Sequence, residues 1–298
     1  MSVTERPARL AVGIVGAGRV GTALGAALSR AGHRIVAASG VSDASHARVV
    51  ERLGDDIPMA EPSEVLADAD LVLLTVPDDA LPDLVRGLAA TGAPLTGKLL
   101  VHTSGRYGAD VLTPAARVGA LPLALHPVMT FTGRPEDVDR MISVSFGVTA
   151  PDPLRPVAEA LVVEMGGEPV FIDEEKRALY HAALASGANH LVTLVAEAAD
   201  LLRLAGVDAP DRMLGPLLGA ALDNGLRLGA AGLTGPVARG DSGTVAEHLT
   251  ELRRFAPDAL PAYVALARLT ADRAMTAGLL KPEDAERLLG VLSDEGVR

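Results

Sequence analysis

Apolar and polar positions follow two different rhythms along the chain. Up to about residue 172, short apolar runs alternate with longer amphipathic stretches. Residues 9–15, 34–38, 71–76, 98–102 and 121–126 read as strands, and residues 142–149 and 169–172 extend the set. The run Leu71-Val72-Leu73-Leu74-Thr75-Val76 has no polar alternation, as expected of a strand covered on both faces. Helices are predicted over residues 20–31 and 44–53, in a proline-containing segment after residue 77, and near residues 109–117. Strands alternating with helices indicate βαβ units and a parallel sheet flanked by helices.

Past Asp173 the period becomes helical. Segments at about 174–204, 210–228, 244–255, 260–277 and 282–292 follow one another, with breaks at Gly206, at residues 232–236 and at Pro257. The expected fold is therefore an α/β N-terminal Rossmann-type parallel sheet followed by an all-α C-terminal domain. The boundary is placed near Asp173, giving domains over 1–173 and 174–298.

The first turn of this pattern carries chemistry. Gly16-Ala17-Gly18-Arg19-Val20-Gly21 is a G-x-G-x-x-G motif lying between a strand and a helix, the context that a dinucleotide requires. Gly16 permits the tight turn, Gly18 lets backbone approach a pyrophosphate, and Gly21 lets helix and strand pack closely. The helix N-terminus, with Arg19 and Val20, offers N–H groups and partial positive charge to phosphates. The second strand ends Ala38-Ser39-Gly40-Val41-Ser42-Asp43, with no acid before Asp43 to bond the ribose hydroxyls of NAD. Ser39 and Ser42 offer donors, which favours NADP over NAD, although Ser42 or Asp43 could equally cap the next helix. Val76 and Pro77, and Thr103 with Ser104, end further strands and are expected to line the cofactor crevice.

Composition narrows the partners. Lys+Arg 27 against Asp+Glu 38 gives a net charge of −11, unsuited to nucleic acid as a main partner. There are no cysteines, so disulfides, thiolate metal sites and thiol nucleophiles are excluded, and no metal site is expected. The apolar run at residues 10–17 is too short to span a membrane and reads as a strand rather than a leader, so a cytoplasmic protein is expected.

The motifs GAGRVG, VHTSG, LHPVMTF, ALYHAALASGANHLVTL and LTGPVARGD resemble those of the 6-phosphogluconate dehydrogenase-like superfamily. The chain is similar to pyrroline-5-carboxylate reductases, ketopantoate reductases and 3-hydroxyacyl-CoA dehydrogenases. It looks closest to a bacterial group pairing a Rossmann-like half with a helical half of unknown function. The resemblance implies catalytic roles for Ser104, His126 and Asn189, with Glu136 or Asp137 as candidate carboxylate partners of the histidine. It also brings in Lys176, and it likens residues 235–242 to a substrate loop, where Arg239, Asp241 and Ser242 would hold a carboxylate. Relatives dimerise through the helical half, so a homodimer is expected.

His126 ends an apolar strand ahead of Pro127, where a general acid or base could face a nicotinamide; a histidine satisfying a strand–proline turn is the plainer reading. Asn189 could bond a substrate oxygen or merely join two helices. His181 lies eight residues before Asn189, about 80° around the helix, and could border the same cleft. Lys176 falls on another side and could be an ordinary solvated lysine. The expected function is an NADP-dependent oxidoreductase acting on a small anionic keto acid or cyclic imine, ketopantoate among the candidates, with His126 donating the proton. The alternative is a dinucleotide-binding sensor without turnover.

Overall fold

The computed structural model describes residues 9–293. It divides into two compact units, one ending at Ser186 and the other beginning at Gly187. They meet inside a long helix, so the first turns of that helix belong to the unit that holds the sheet.

The first unit is built on a seven-stranded sheet. In chain order it comprises β1 (Ala11–Val15), α1 (Arg19–Arg30), β2 (Arg34–Ser39), α2 (Asp43–Leu53), α3 (Pro62–Val65), β3 (Leu71–Leu74), α4 (Leu81–Ala90) and β4 (Leu99–His102). There follow α5 (Thr113–Ala116), β5 (Leu121–Pro127), α6 (Glu136–Arg140), β6 (Ser145–Thr149), α7 (Arg155–Glu164) and β7 (Glu168–Phe171). The strand order is β2-β1-β3-β4-β5-β6-β7. β1 and β3 are buried throughout, as their unbroken apolar runs require. Two apolar clusters cover the sheet: one includes Ile14, Leu24, Leu28 and Phe146, the other Leu74, Val85, Leu100 and Leu112.

Two features depart from the sequence reading. β6 runs antiparallel to β5, with His126 opposite Gly147, while all other strand pairs are parallel. The β5–β6 link carries only the five-residue α6, and no long helix lies between these two strands. α7, absent from the sequence expectation, supplies the crossover that returns β7 parallel to β6; Pro153 and Pro156 had masked its start, although Pro156 sits in the first turn, where proline is tolerated.

Chain order reverses across β1, since β2 lies on one side and β3 on the other. In open α/β sheets this switch point is where a crevice opens beyond the carboxyl ends of the strands.

The second unit is helical. The long α8 (Arg177–Leu204) crosses into it and is followed by α9 (Pro210–Leu228), α10 (Gly235–Arg239), α11 (Ser242–Phe255), α12 (Leu260–Thr276) and α13 (Pro282–Ser293). α10–α13 share a core that includes Val245, Leu249, Ala271, Leu288 and Leu292. Among the described residues, no helix is long and apolar enough to cross a membrane.

Candidate active site

The glycine motif forms a cradle at the switch point. Gly16 has φ +94°, and a Cβ there would lie 2.8 Å from the Thr75 carbonyl carbon. A Cβ at Gly21 would lie 2.4 Å from Thr75 Oγ1 and 2.6 Å from the Gly16 carbonyl oxygen. Gly18 differs: its nearest neighbour would be the Gly16 oxygen at 3.9 Å, so this face of the turn is open. One glycine turns the chain, one seats the helix on the strand, and one leaves backbone bare where α1 begins. The first N–H groups of a helix have no intrahelical acceptor, so this open backbone fits a dinucleotide diphosphate.

Two neighbours fix the cradle. The Ser39 carbonyl accepts the N–H groups of Gly16 (3.0 Å) and Ala17 (2.7 Å). Thr75, which sequence reasoning passed over, donates from its hydroxyl to the Gly16 carbonyl at 2.6 Å. Val76 is half-buried and Pro77 exposed just beyond β3. At the end of β2, Ser39 is buried, whereas Val41 is fully exposed. Ser42 Oγ accepts the Ser45 N–H at 3.2 Å and so caps α2.

β5 lies three strands from β1, roughly 14 Å along the same sheet edge. His126 stands at its end, half-buried, with Nδ1 2.8 Å from the Tyr180 hydroxyl. The two rings meet edge to face, and His181 packs edge-on against His126 at 6.2 Å. Two glycines make this possible. A Cβ at Gly147 would lie 2.3 Å from the Tyr180 hydroxyl oxygen, so only glycine lets the phenol reach the histidine. A Cβ at Gly105 would lie 2.9 Å from His126 Nε2 and 2.7 Å from His181 Cδ2, in the space before both rings.

Arg177 holds the surroundings together. It is 1% exposed and donates to three backbone carbonyls: Ser104 (2.6 Å), Tyr107 (2.9 Å) and Gly147 (3.0 Å). Its guanidinium carbon lies 5.3 Å from the Tyr180 ring centroid. This is a buried cation held by carbonyl dipoles in place of a carboxylate. Burial, then the charges of Arg177 and His181, lower the His126 pKa to about 4. Burial pushes the Tyr180 hydroxyl up, although Arg177 opposes the shift.

At the end of β4, His102 is fully buried, with Nε2 2.8 Å from the Gly108 carbonyl, and its Nδ1 accepts the Ser104 N–H at 3.2 Å. Burial lowers its pKa to about 4. Its two ring nitrogens thus pin residues 104 and 108, the two ends of the turn that carries Gly105. Thr103 beside it is half-buried.

The sequence candidates are placed as follows. Ser104 is buried, and its Oγ accepts the N–H groups of Arg106 and Tyr107, both at 3.2 Å. Lys176 is exposed and pairs with Asp173 at 3.1 Å. Neither Glu136 nor Asp137 partners His126: Glu136 is exposed, and Asp137 bonds Thr132 and Gly133. Asn189 is exposed on α8, in the second unit. In that unit Arg239 is exposed at the end of α10. Asp241 caps α11, accepting from the Thr244 N–H (3.1 Å) and hydroxyl (2.8 Å), and Ser242 is the first residue of that helix. Missed altogether were Tyr180, Arg177, His102 and Gly147. Only Gly147 carried a local signal, as the one residue without a side chain inside an alternating strand.

A family model described as Rossmann-like domain matches residues 1–127. A second, described as domain of unknown function (DUF2520), matches residues 144–270. The chain is thus similar to a Rossmann-like domain over its first part and to DUF2520 over much of the remainder. It is similar to a glycerol-3-phosphate dehydrogenase [NAD(P)+] of Bradyrhizobium sp. (strain ORS 278), 30% identical over 171 residues, which are 52% of this chain and 50% of that one. The chain thus spans about half the length of the curated relatives that it matches. Solved structures share the fold over most of their length. An imine reductase from Pseudomonas sp. superposes with TM-score 0.65 at 21% identity, over 96% of this chain and 100% of that one. A reductive aminase from Aspergillus terreus, in complex with NADPH and ethyl levulinate, gives 0.63 at 20%, over 94% and 99%. Protein TM1727 from Thermotoga maritima gives 0.68 at 21%, over 89% and 99%. The Rossmann-like match contains the cradle and β5; the DUF2520 match begins just before β6 and takes in Gly147, Arg177 and Tyr180.

Proposed function

We propose that this protein is an NADP-dependent oxidoreductase that reduces the C=O or C=N bond of a small, carboxylate-bearing substrate such as a keto acid or cyclic imine. The observation that carries the reading is the His126–Tyr180 pair, backed by Arg177 and faced by a glycine, on the sheet edge that also bears an open dinucleotide cradle. The relatives lend support, since the matching dehydrogenase is an NAD(P)+ protein and the fungal aminase holds NADPH. Preference for NADP rests on β2, beyond which no acid occurs before Asp43.

Gly16, Gly18, Arg19, Val20 and Gly21 would hold the diphosphate, and Val76, Pro77 and Thr103 would line the crevice. When bound, NADPH supplies the hydride. The chain's own task is the proton. With its pKa near 4, His126 is neutral at pH 7 and does not act as an imidazolium. Burial favours a protonated Tyr180; with its hydroxyl donating to Nδ1, the imidazole hydrogen would sit on Nε2, the nitrogen next to Gly105. The substrate heteroatom takes the Nε2 proton while the tyrosine proton passes to Nδ1. The resulting tyrosinate is stabilised by Arg177 and regains a proton from solvent.

A second part of the proposal concerns assembly. On α8 and α9, Arg177, Pro210 and Leu214 are the buried residues, whereas Val192 (70% exposed), Leu217 (65%) and Leu226 (80%) face outward. So broad an apolar face favours an obligate partner, and a second copy of this chain supplies a matching one. We propose a homodimer through these helices.

Titration of the intact chain with NADPH, followed by NADPH oxidation across a panel of oxo acids and cyclic imines, tests the activity. Binding plus turnover of at least one carboxylate-bearing member is expected. Tight binding with no turnover across the panel would favour the sensor reading, and absence of NADPH binding would end the proposal.

A further inference from the structure

A buried carboxylate lies on the other side of the cradle, outside the proton-handling group. Between β5 and α6 the chain makes a turn at residues 132–135. Asp137 is completely buried and draws this turn inward, accepting the N–H (3.2 Å) and hydroxyl (2.9 Å) of Thr132 and the N–H of Gly133 (2.7 Å). Burial opposes its charge, but the Thr132 hydroxyl, the two backbone N–H groups and the Arg52 charge outweigh it, leaving the carboxyl below the ordinary range. Arg140 stands 3.7 Å away.

The turn rests on the glycine motif. Gly133 has φ +85°, and a Cβ there would come 3.2 Å from Arg19 Cγ and 3.4 Å from Arg19 Nε. The bare backbone of Gly133 therefore lies flat along the Arg19 side chain. Arg52, whose charge faces Asp137, reaches Thr22 Oγ1 at 3.5 Å, and that hydroxyl donates to the Gly18 carbonyl at 2.8 Å. Two chains of contact thus run from the neighbourhood of Asp137 to the cradle, one through Gly133 to Arg19 and one through Arg52 and Thr22 to Gly18.

We infer that residues 132–135, latched by Asp137, form a strap that holds Arg19 in place beside the open face at Gly18, so that Asp137 is a positioning residue for the cofactor diphosphate. The inference rests on the cofactor reading above. An arginine on a free stem would lose rotamer freedom on meeting a phosphate; one already pressed against Gly133 has lost much of it beforehand.

The test is a double-mutant cycle read by NADPH fluorescence on the full chain. Arg19→Ala should weaken NADPH about tenfold, in keeping with loss of one charge-assisted contact. Asp137→Asn should weaken it about fivefold by the same route. The double variant should bind no worse than Arg19→Ala alone, because the strap acts through that arginine. Adenosine 2′-monophosphate, which lacks the diphosphate, should bind all of them equally. Should Asp137→Asn fail to fold, Thr132→Val enters the same cycle with about a threefold effect. Additive losses, an unchanged NADPH affinity in the latch variants, or equal weakening of adenosine 2′-monophosphate would overturn the strap. A wild-type chain that binds no NADPH would sink the cofactor reading and the strap with it, which separates that failure from the others.

Discussion

The sheet of the first unit and the helices α8 and α9 use similar apolar residues to opposite ends. Leu71, Leu73 and Leu74 on β3 are at most 2% exposed, covered on both faces by helices of the same chain. On α9, Met213, Leu217, Leu222, Leu226 and Leu228 are all more than half exposed. α11–α13 resemble the sheet in this respect, closing a core of their own. The contrast teaches that hydrophobicity in this protein is spent in two ways: in the sheet it positions a site, and along α8 and α9 it presents a surface. An apolar cavity of about 500 Å³, lined by Leu201, Leu204, Leu252, Phe255 and Tyr263, lies within the second unit and adds to that surface.

The sharpest way to separate the two is to remove chemistry without touching either surface. His126→Gln should cut turnover by ~10²–10⁴-fold on any substrate found, the usual contribution of a positioned proton donor. NADPH affinity and particle mass should not change. Full turnover in this variant would break the link between β5 and the reaction. The next effect concerns packing. Leu73→Ala should lower unfolding free energy by about 2–5 kcal/mol, as for other buried leucines. Leu226→Ala on a bare helix should cost less than about 0.5 kcal/mol. If chemical denaturation instead gives Leu226→Ala a core-sized cost, with unfolding midpoints that fall on protein dilution, α9 is covered by a second copy. Light scattering of Leu217→Glu/Leu226→Glu, read against a wild type of twice 30.5 kDa, settles the same point from the other side.

A subtler effect is a pH dependence confined to the sheet unit. His102 is buried, and its pKa falls from 6.5 to about 4. A depressed histidine contributes stability above its unfolded pKa; as pH drops, the unfolded chain takes up the proton first and the contribution is lost. Stability should therefore fall between about pH 6.5 and pH 4, by about 3 kcal/mol for His102 alone. His126 titrates in the same window. Thermal unfolding at a series of pH values checks it, and a flat profile across this window would show that neither imidazole is held neutral.

What was legible in the sequence followed from local rules. The βα alternation, the glycine motif and the absence of an acid at the end of β2 are all contiguous, and the turn has Gly16 at positive φ, Gly21 against Thr75 and Gly18 open. His126 was legible as a strand end. Its partner was not, because Tyr180 lies 54 residues away and meets it only through an antiparallel β6 that lacks a side chain at Gly147. Arg177 left no trace for a simpler reason: its partners are backbone carbonyls, which every residue possesses. The neighbouring Lys176 drew attention through the family resemblance, and it sits on the surface as an ordinary solvated lysine would. The turn at residues 132–135 was likewise hidden, since Asp137 drew notice only as a candidate partner of the histidine and not as the latch of its own turn.

The hold of the Ser39 carbonyl on Gly16 and Ala17 has a consequence for how readily this protein could change allegiance between cofactors. The cradle hangs from a main-chain atom, which every amino acid supplies, whereas the side chains that would greet the adenosine ribose begin at Val41, wholly in solvent. On the proposed cofactor reading, drift or engineering at position 41 would rewrite which dinucleotide is preferred without disturbing the turn. Val41→Asp is the shortest such rewrite, a single step toward the unphosphorylated form. Gly40 is the hinge that should not be touched, for a side chain there would run into Ser45 at 2.8 Å.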